Sequence, residues 1–263
     1  MIHAKQLRAH GWLRHVEVYP LIGSTSDRAL VIAERSDREL PALVAAERQT
    51  SGRGREGRAW WSGDGALTFS LAIAPACIGL EPSNWPAMSL TTALAICDAI
   101  GHIAPDMPVS IKWPNDVLLE GLKVAGVLLE SRRTADGAAD RLVVGIGINV
   151  NNSVKQAPAK LQATSVALCD VTGAVHDRTQ LLLAFFDAFV DRVSQLAKEE
   201  SSLVAVWNER NALAGREVTL QTGDTKVIGR CVDLAPDGSL RIESEGRIAA
   251  FRSGSVVSAS FTR

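Results

Sequence analysis

Val109-Ser110-Ile111-Lys112-Trp113-Pro114-Asn115-Asp116-Val117-Leu118-Leu119-Glu120-Gly121-Leu122-Lys123-Val124-Ala125-Gly126-Val127-Leu128-Leu129-Glu130-Ser131 is the stretch whose reading decides the fold. It holds three short strand-like runs, 109–112, 117–120 and 123–131, and a fourth follows at 141–150. The links are a proline bend, Glu120-Gly121 and the run from Thr134 to Asp140. Links this short suit antiparallel hairpins, because a parallel crossover needs about a dozen residues or more.

Working outward, residues 16–22, 42–47 and 67–74 read as further strands. Ser24-Thr25-Ser26-Asp27 offers N-cap candidates for a helix over 28–35. Residues 84–103 are apolar on a helical period and predict a core helix; 177–200 and 203–213 predict two more. After Gly215 the texture changes to short strands, with turns at Thr222-Gly223-Asp224, Pro236-Asp237-Gly238 and Glu245-Gly246. That pattern suits a small β-barrel. The expectation is an α+β chain: a mixed, largely antiparallel sheet with helices packed on it over 1–214, and a small β domain over 215–263.

Composition narrows the function. With 263 residues, 46% hydrophobic and 22% charged, the chain reads as an ordinary globular enzyme. A net charge of −1 supplies no global basic field, so no nucleic-acid partner is expected and any anion site must be local. Apolar stretches such as 66–76 are too short to cross a bilayer, and residues 1–5 lack an apolar signal core. A cytoplasmic protein without a membrane partner is expected. The four cysteines, at 77, 97, 169 and 231, form no C-x-x-C pair, and the five histidines have no ligand spacing. Free thiols in a reducing compartment are expected, with no metal held by the protein itself.

Two motifs carry the chemistry. Gly52-Arg53-Gly54-Arg55-Glu56-Gly57-Arg58-Ala59-Trp60 sets three glycines and three arginines beside an aromatic ring, a segment able to wrap an anion. Its glycines match a dinucleotide fingerprint, but Trp60-Trp61-Ser62-Gly63-Asp64-Gly65 follows where a helix should open, and the position about 20 residues on is near Cys77 rather than an acid. A solvated basic loop would have no use for Trp60-Trp61, and one short segment with an internal Glu56 is a poor RNA binder. In the second motif, Pro114 fixes its own backbone and restricts Trp113, which would aim Lys112; a plain proline turn over a packed tryptophan fits equally. Strand alternation places Lys123 on one face with Ala125 and Val127, costly for a buried lysine unless an anion pairs with it. A lysine snorkelling at the rim is the alternative. Gly145 and Gly147 alternate on one face of their strand, which favours a ligand lying flat there, or else a bulge or tight sheet packing. Together the motifs suggest a site for a nucleoside triphosphate and a carboxylate-bearing reactant.

The two motifs, in this order, resemble the signatures of biotin protein ligases, and the similarity runs over roughly residues 16–260. The resemblance implies a catalytic fold like that of class II aminoacyl-tRNA synthetases and a C-terminal SH3-like domain. It implies that Ser24, Thr25 and Gln49 meet the biotin ureido ring and that Gly52 and Arg53 form the biotin and adenylate loop. Arg55 and Arg58 would order that loop on the adenylate, with Trp60 near adenine. Lys123 would contact both the biotin carboxylate and the α-phosphate. Gly126, Gly145 and Gly147 would line biotin, Asn149 would sit by the nucleotide, and Lys112, Asn115 and Asp116 match the family's K-W-P-N-D. Arg53, Lys112, Asp116 and Lys123 are the implied catalytic set. Biotin and ATP are the implied substrates, with Mg²⁺ held mainly by the phosphates. The implied partner is a biotin carboxyl carrier domain, and the enzyme would be a monomer or homodimer. Two departures stand out. Ser26 occupies a place where the family usually has Asn, and about 15 residues precede the first strand, too few for the helix-turn-helix of bifunctional members. A monofunctional ligase is therefore expected, with a lipoate or octanoate ligase and a biotin-responsive repressor as the alternatives.

Overall fold

Apolar runs early in the chain form β1 (His15–Tyr19), β2 (Ala42–Ala46) and β3 (Leu67–Ile73), and the stretch quoted above supplies β4 (Val109–Lys112), β5 (Asp116–Leu119), β6 (Leu122–Arg133) and, beyond it, β7 (Asp140–Ile148). The computed structural model describes residues 1–35, 39–138 and 140–259. These strands make one sheet in the order β1-β2-β3-β7-β6-β5-β4. Only β1 and β2 run parallel; every other neighbouring pair is antiparallel, as the short links require. Ala139, within the expected turn at 134–140, lies outside the described residues.

The helices are α1 (Ala4–Arg8), α2 (Thr25–Ala33), α3 (Met88–Ile103), α4 (Ala159–Gln162), α5 (Leu168–Thr172), α6 (Arg178–Ala197) and α7 (Ser201–Glu209). α3 and α6 cover one face of the sheet, where Phe69 of β3 meets Phe185 edge-on at 5.1 Å between ring centroids. α2 lies on the other face, packing Ala29, Ile32 and Ala33 against Val44, Ala72 and Val143. It starts three residues earlier than expected. Ser24 is its cap, accepting from the Asp27 N–H, so Thr25 and Ser26 are already helical. α3 starts later than expected, because Pro82 and Pro86 leave 82–87 as a 3-10 turn. The run Pro82–Ile103 corrects the composition reading: at 22 residues and mean hydropathy 1.2 it is long and apolar enough to cross a membrane, yet it is buried against the sheet and α6 as a core helix. α7 ends before the expected 213 because the following chain pairs with the outer edge of β4. There Ile111 N–H donates to the Arg210 carbonyl and Ala212 N–H to that of Ile111.

After Gly215, β8 (Glu217–Thr222), β9 (Thr225–Leu234), β10 (Leu240–Ser244), β11 (Arg247–Phe251) and β12 (Ser255–Ala259) form a second, antiparallel sheet in the order β11-β10-β9-β8-β12. The last four residues of the expected 215–263 domain lie outside the described residues. Val218, Leu220, Leu240 and Val256 belong to the same apolar core as α3 and the large sheet. Buried Trp113 donates its indole N–H to the Gly238 carbonyl at 2.9 Å. The change of topology at 215 is therefore not a break in the core.

One ion pair fixes α2 on the sheet. Glu17 of β1 accepts both Arg28 donors at 2.7 Å and also the Tyr19 hydroxyl at 2.8 Å. The Arg28 hydrogen bonds hold the Glu17 carboxyl down at about 2, from an ordinary value of 4.5. A carboxyl lowered on folding stabilises the native state above its unfolded value, and that contribution is lost as the pH falls toward 2. Glu17→Gln should therefore be less stable than the parent at pH 7, with the gap closing between about pH 4.5 and 2. Denaturant melts across that range check it; a pH-independent gap contradicts the assignment.

Candidate active site

Period-2 alternation puts Lys123 beside Ala125 and Val127, and the structure corrects this. Val117 pairs with Ala125 but Leu118 pairs with Lys123, so β6 carries one extra residue at Val124. Such a bulge places two successive side chains on one face. Val124 and Ala125 both enter the core, and Lys123 is turned to the opposite face beside Gly126. Its ammonium reaches the Asp116 carboxylate at 2.5 Å. The segment leading into α5 pins the bulge, with Lys123 N–H donating to Thr164 O and Val166 N–H to Lys123 O, both at 3.0 Å.

The face opposite α3 and α6 becomes the floor of a cleft of roughly 520 Å³, within the usual size of a small-molecule site. Lys112 pairs with Asp116, Asp116 with Gly126, Gly126 with Gly147 and Gly147 with Thr68, so one row crosses the sheet. Leu128, Gly145 and Ser70 make the next row. What lies against the three glycines is the site's own side chains, rather than a slot left bare for a ligand. A Cβ on Gly147 would run into the Trp60 indole, one on Gly145 would meet the Ser26 hydroxyl, and one on Gly126 would come within 3.0 Å of Lys123 Nζ. Lys123 Nζ stands 5.8 Å from the Trp60 ring centroid. The buried Trp60 indole N–H has no partner among the described residues.

At the α2 end, buried hydroxyls form a chain. Ser70 meets Thr25 Oγ1 at 2.8 Å and Ser26 Oγ at 3.1 Å, and Gln49 Oε1 accepts from the Thr25 hydroxyl at 3.0 Å and its N–H at 2.7 Å. Sequence reasoning overlooked Ser70. Its signal was available: Thr68 and Ser70 are alternate polar residues in an otherwise apolar strand, both on the face carrying Thr25 and Ser26. Ser24 lines the cleft but spends its hydroxyl on the helix cap. Gly52 is packed behind, where a Cβ would press on the Gln49 amide and the Trp60 carbonyl.

The Gly/Arg loop is a small hairpin, with Trp60 N–H donating to Gly52 O at 2.9 Å and Gly54 N–H to Arg58 O at 2.7 Å. Arg55 reaches Asn115 Oδ1 at 3.3 Å and the Gly254 carbonyl at 3.1 Å. Glu56 accepts from Ser255 at 2.8 Å and from Arg58. The loop is thus tied to the bend after β4 and to β12, and Ser255 and Val256 join the cleft wall. The stretch after Gly215, which carries no candidate catalytic cluster in the sequence and so reads as a support for loop closure or carrier docking, thus reaches the loop directly. Asn115 is itself held, its amide donating to Val127 O at 2.7 Å. Asn149 also lines the cleft, but its amide serves a turn, donating to Val166 O and accepting from Asn152.

Lys112 is half-buried on the cleft wall, and its side chain makes no hydrogen bond or ion pair among the described residues. Burial pushes its ammonium below the usual lysine range, against an opposing pull from Asp116. With Lys123 and Arg55 it makes one end of the cleft attractive to an anion. Asp116 is the sole carboxylate lining the cleft among the described residues. No group of three or more His, Cys, Asp or Glu able to hold a metal occurs among those residues.

The family model described as "Biotin/lipoate A/B protein ligase family" matches residues 19–149, which span the cleft floor and both motifs. A biotin–[acetyl-CoA-carboxylase] ligase from Paracoccus denitrificans is 33% identical over 202 residues, covering 76% of this chain and 82% of that protein. The chain belongs to the biotin protein ligase family. A Mycobacterium tuberculosis biotin–[acetyl-CoA-carboxylase] ligase is 29% identical over 94% of this chain and 90% of its own length. Among solved structures, a biotin protein ligase from Aquifex aeolicus in complex with biotin and ATP has a TM-score of 0.80 at 30% identity, covering 95% of this chain and 100% of that one. The α+β architecture is thus that of a biotin protein ligase.

Lys112 yields a test with two opposite signs. A lysine lowered on folding makes the native state more stable as pH rises toward the unfolded value, because the unfolded chain then binds more protons. Anion binding needs the charged form, so affinity for inorganic pyrophosphate should fall over the same alkaline range. Lys112→Met should remove both limbs, read by calorimetry and melting across pH; superimposable profiles for parent and variant contradict the assignment.

Proposed function

We propose that this biotin protein ligase uses ATP to activate biotin as biotinyl-5′-AMP and then biotinylates one lysine of a carboxyl carrier domain. The observation that carries the reading is a single cleft with a buried hydroxyl-and-amide pocket at one end and Lys112, Lys123 and Arg55 at the other. A ureido ring needs donors and acceptors, and Thr25, Ser70 and Gln49 supply them. The acyl tail of lipoate or octanoate has no polar group for this pocket to meet, so the pocket gives it no hydrogen bonds.

The first step joins two anions. A biotin carboxylate oxygen attacks the α-phosphorus of ATP, and the bond to pyrophosphate breaks. Lys123, at the bulge between floor and wall, stands where it can meet both the carboxylate and the α-phosphate, and Lys112 adds charge beside it. Asp116 aims the Lys123 ammonium until the substrates take it over. ATP would bring Mg²⁺ on its phosphates to neutralise the leaving group, with Asp116 the one lining carboxylate among the described residues. The Trp60 indole offers a stacking face and a free N–H to the nucleotide. In the second step the acceptor ε-amine attacks the anhydride carbonyl carbon, the bond to AMP breaks and the amine gives up a proton. No enzyme nucleophile is required. The loop and β12 together would shield the anhydride from water.

Incubation with labelled biotin, ATP and a carboxyl carrier domain should give ATP-dependent label on one carrier lysine, with octanoate a poor substitute. Lys123→Ala should slow pyrophosphate release by ~10²–10³, the usual cost of losing a donor at developing charge. Near-normal release in the variant, or equal use of octanoate, overturns the reading.

A further inference from the structure

Arg53, which the resemblance places in the biotin and adenylate loop and in the catalytic set, is already paired. One guanidinium nitrogen donates to Asp27 of α2, and another donates to both Glu130 oxygens at 3.1 and 2.9 Å. Asp27 follows Ser26, whose hydroxyl faces Gly145. Glu130 lies two residues beyond Leu128, which pairs with Gly145 from the other side. The guanidinium therefore spans from α2 to β6 on either side of Gly145. Arg53 lines the cleft, while neither Asp27 nor Glu130 does; both grip it from outside.

We infer that Asp27 and Glu130 are positioning residues that hold Arg53 as a strap across the biotin end of the cleft, and that the strap sets how long the adenylate is retained. The inference rests on the proposed ligase reading. Arg53 begins the Gly/Arg hairpin, being paired with Ala59, so its anchors also fix where Trp60 lands on Gly147. Charge-assisted hydrogen bonds of this kind are stronger than neutral ones. Local charge balance agrees: two carboxylates against one guanidinium leave this end net negative, unsuited to phosphate, whereas Lys112, Lys123 and Arg55 outnumber Asp116 at the other. Arg53 thus closes the biotin end, and the phosphates belong with the lysines.

The test loads the full chain with labelled biotin and ATP, removes free ligand, and follows release of biotinyl-AMP after a chase of unlabelled biotin. Glu130→Gln and Asp27→Asn should each release it roughly tenfold faster, as expected for losing one charge-assisted bond. First-turnover pyrophosphate release and melting temperature should stay near the parent's. The double variant should be no faster than the faster single one, because a strap cut at one anchor is already open. Parent-like retention in both single variants overturns the inference, as does a loss of retention that merely tracks a fall in melting temperature. A parent protein that makes no biotinyl-AMP overturns the ligase reading and this inference with it, an outcome distinguishable from the first two.

Discussion

One extra residue in β6 decides which way the key lysine points. Without the bulge at Val124, strict alternation would send Lys123 into the core against α3, where an unpaired ammonium is prohibitively costly. With it, Val124 and Ala125 both fill the core and the ammonium stands in the cleft over Gly126. A hydrogen bond to the Thr164 carbonyl and one from the Val166 N–H hold that register from outside the sheet. The rest of the site follows. Lys123 needs Asp116 opposite, Asp116 needs the tight β4–β5 turn, and the glycines of β6 and β7 leave room for Lys123, Trp60 and Ser26 on the same floor.

Much of the charge in this site is paired within the site itself. Lys123 is held by Asp116, Arg53 by Asp27 and Glu130, and Arg58 by Glu56, while Arg55 reaches Asn115 and a carbonyl of the C-terminal sheet. Lys112 is the exception, half-buried and unpaired among the described residues, with its ammonium weakened by desolvation. Substrate anions therefore exchange partners with existing pairs instead of meeting bare cations. That lowers the cost of holding so many charges near an apolar floor, and it makes loop position sensitive to what occupies the cleft.

Much of this was legible in the sequence. Hairpin-length links gave the largely antiparallel sheet, Gly215 marked the change to short strands, and the two motifs pointed to the residues that share one cleft. Three things were not legible, for physical reasons. A bulge is a pairing between two strands, so no pattern within Lys123–Leu129 reveals it. The acids that grip Arg53 come from α2 and from the far half of β6, and only the fold brings them together. The contribution of Gly254, Ser255 and Val256 to the loop and the cleft depends on a second sheet sharing the first one's core. The alternate glycines were read correctly as a sign of close approach, but what approaches them is largely the protein itself.

The most direct test of this account is a crystal structure with a non-hydrolysable biotinyl-AMP analogue. The account predicts that Lys123 Nζ, on the Gly126 side of β6, lies about 3 Å from the linkage between acyl group and phosphate, having exchanged Asp116 for it. The hydroxyls of Thr25 and Ser70 should face the ureido end. A ligand whose phosphate lies against Arg53, with Lys123 turned to the core or to open solvent, would contradict it.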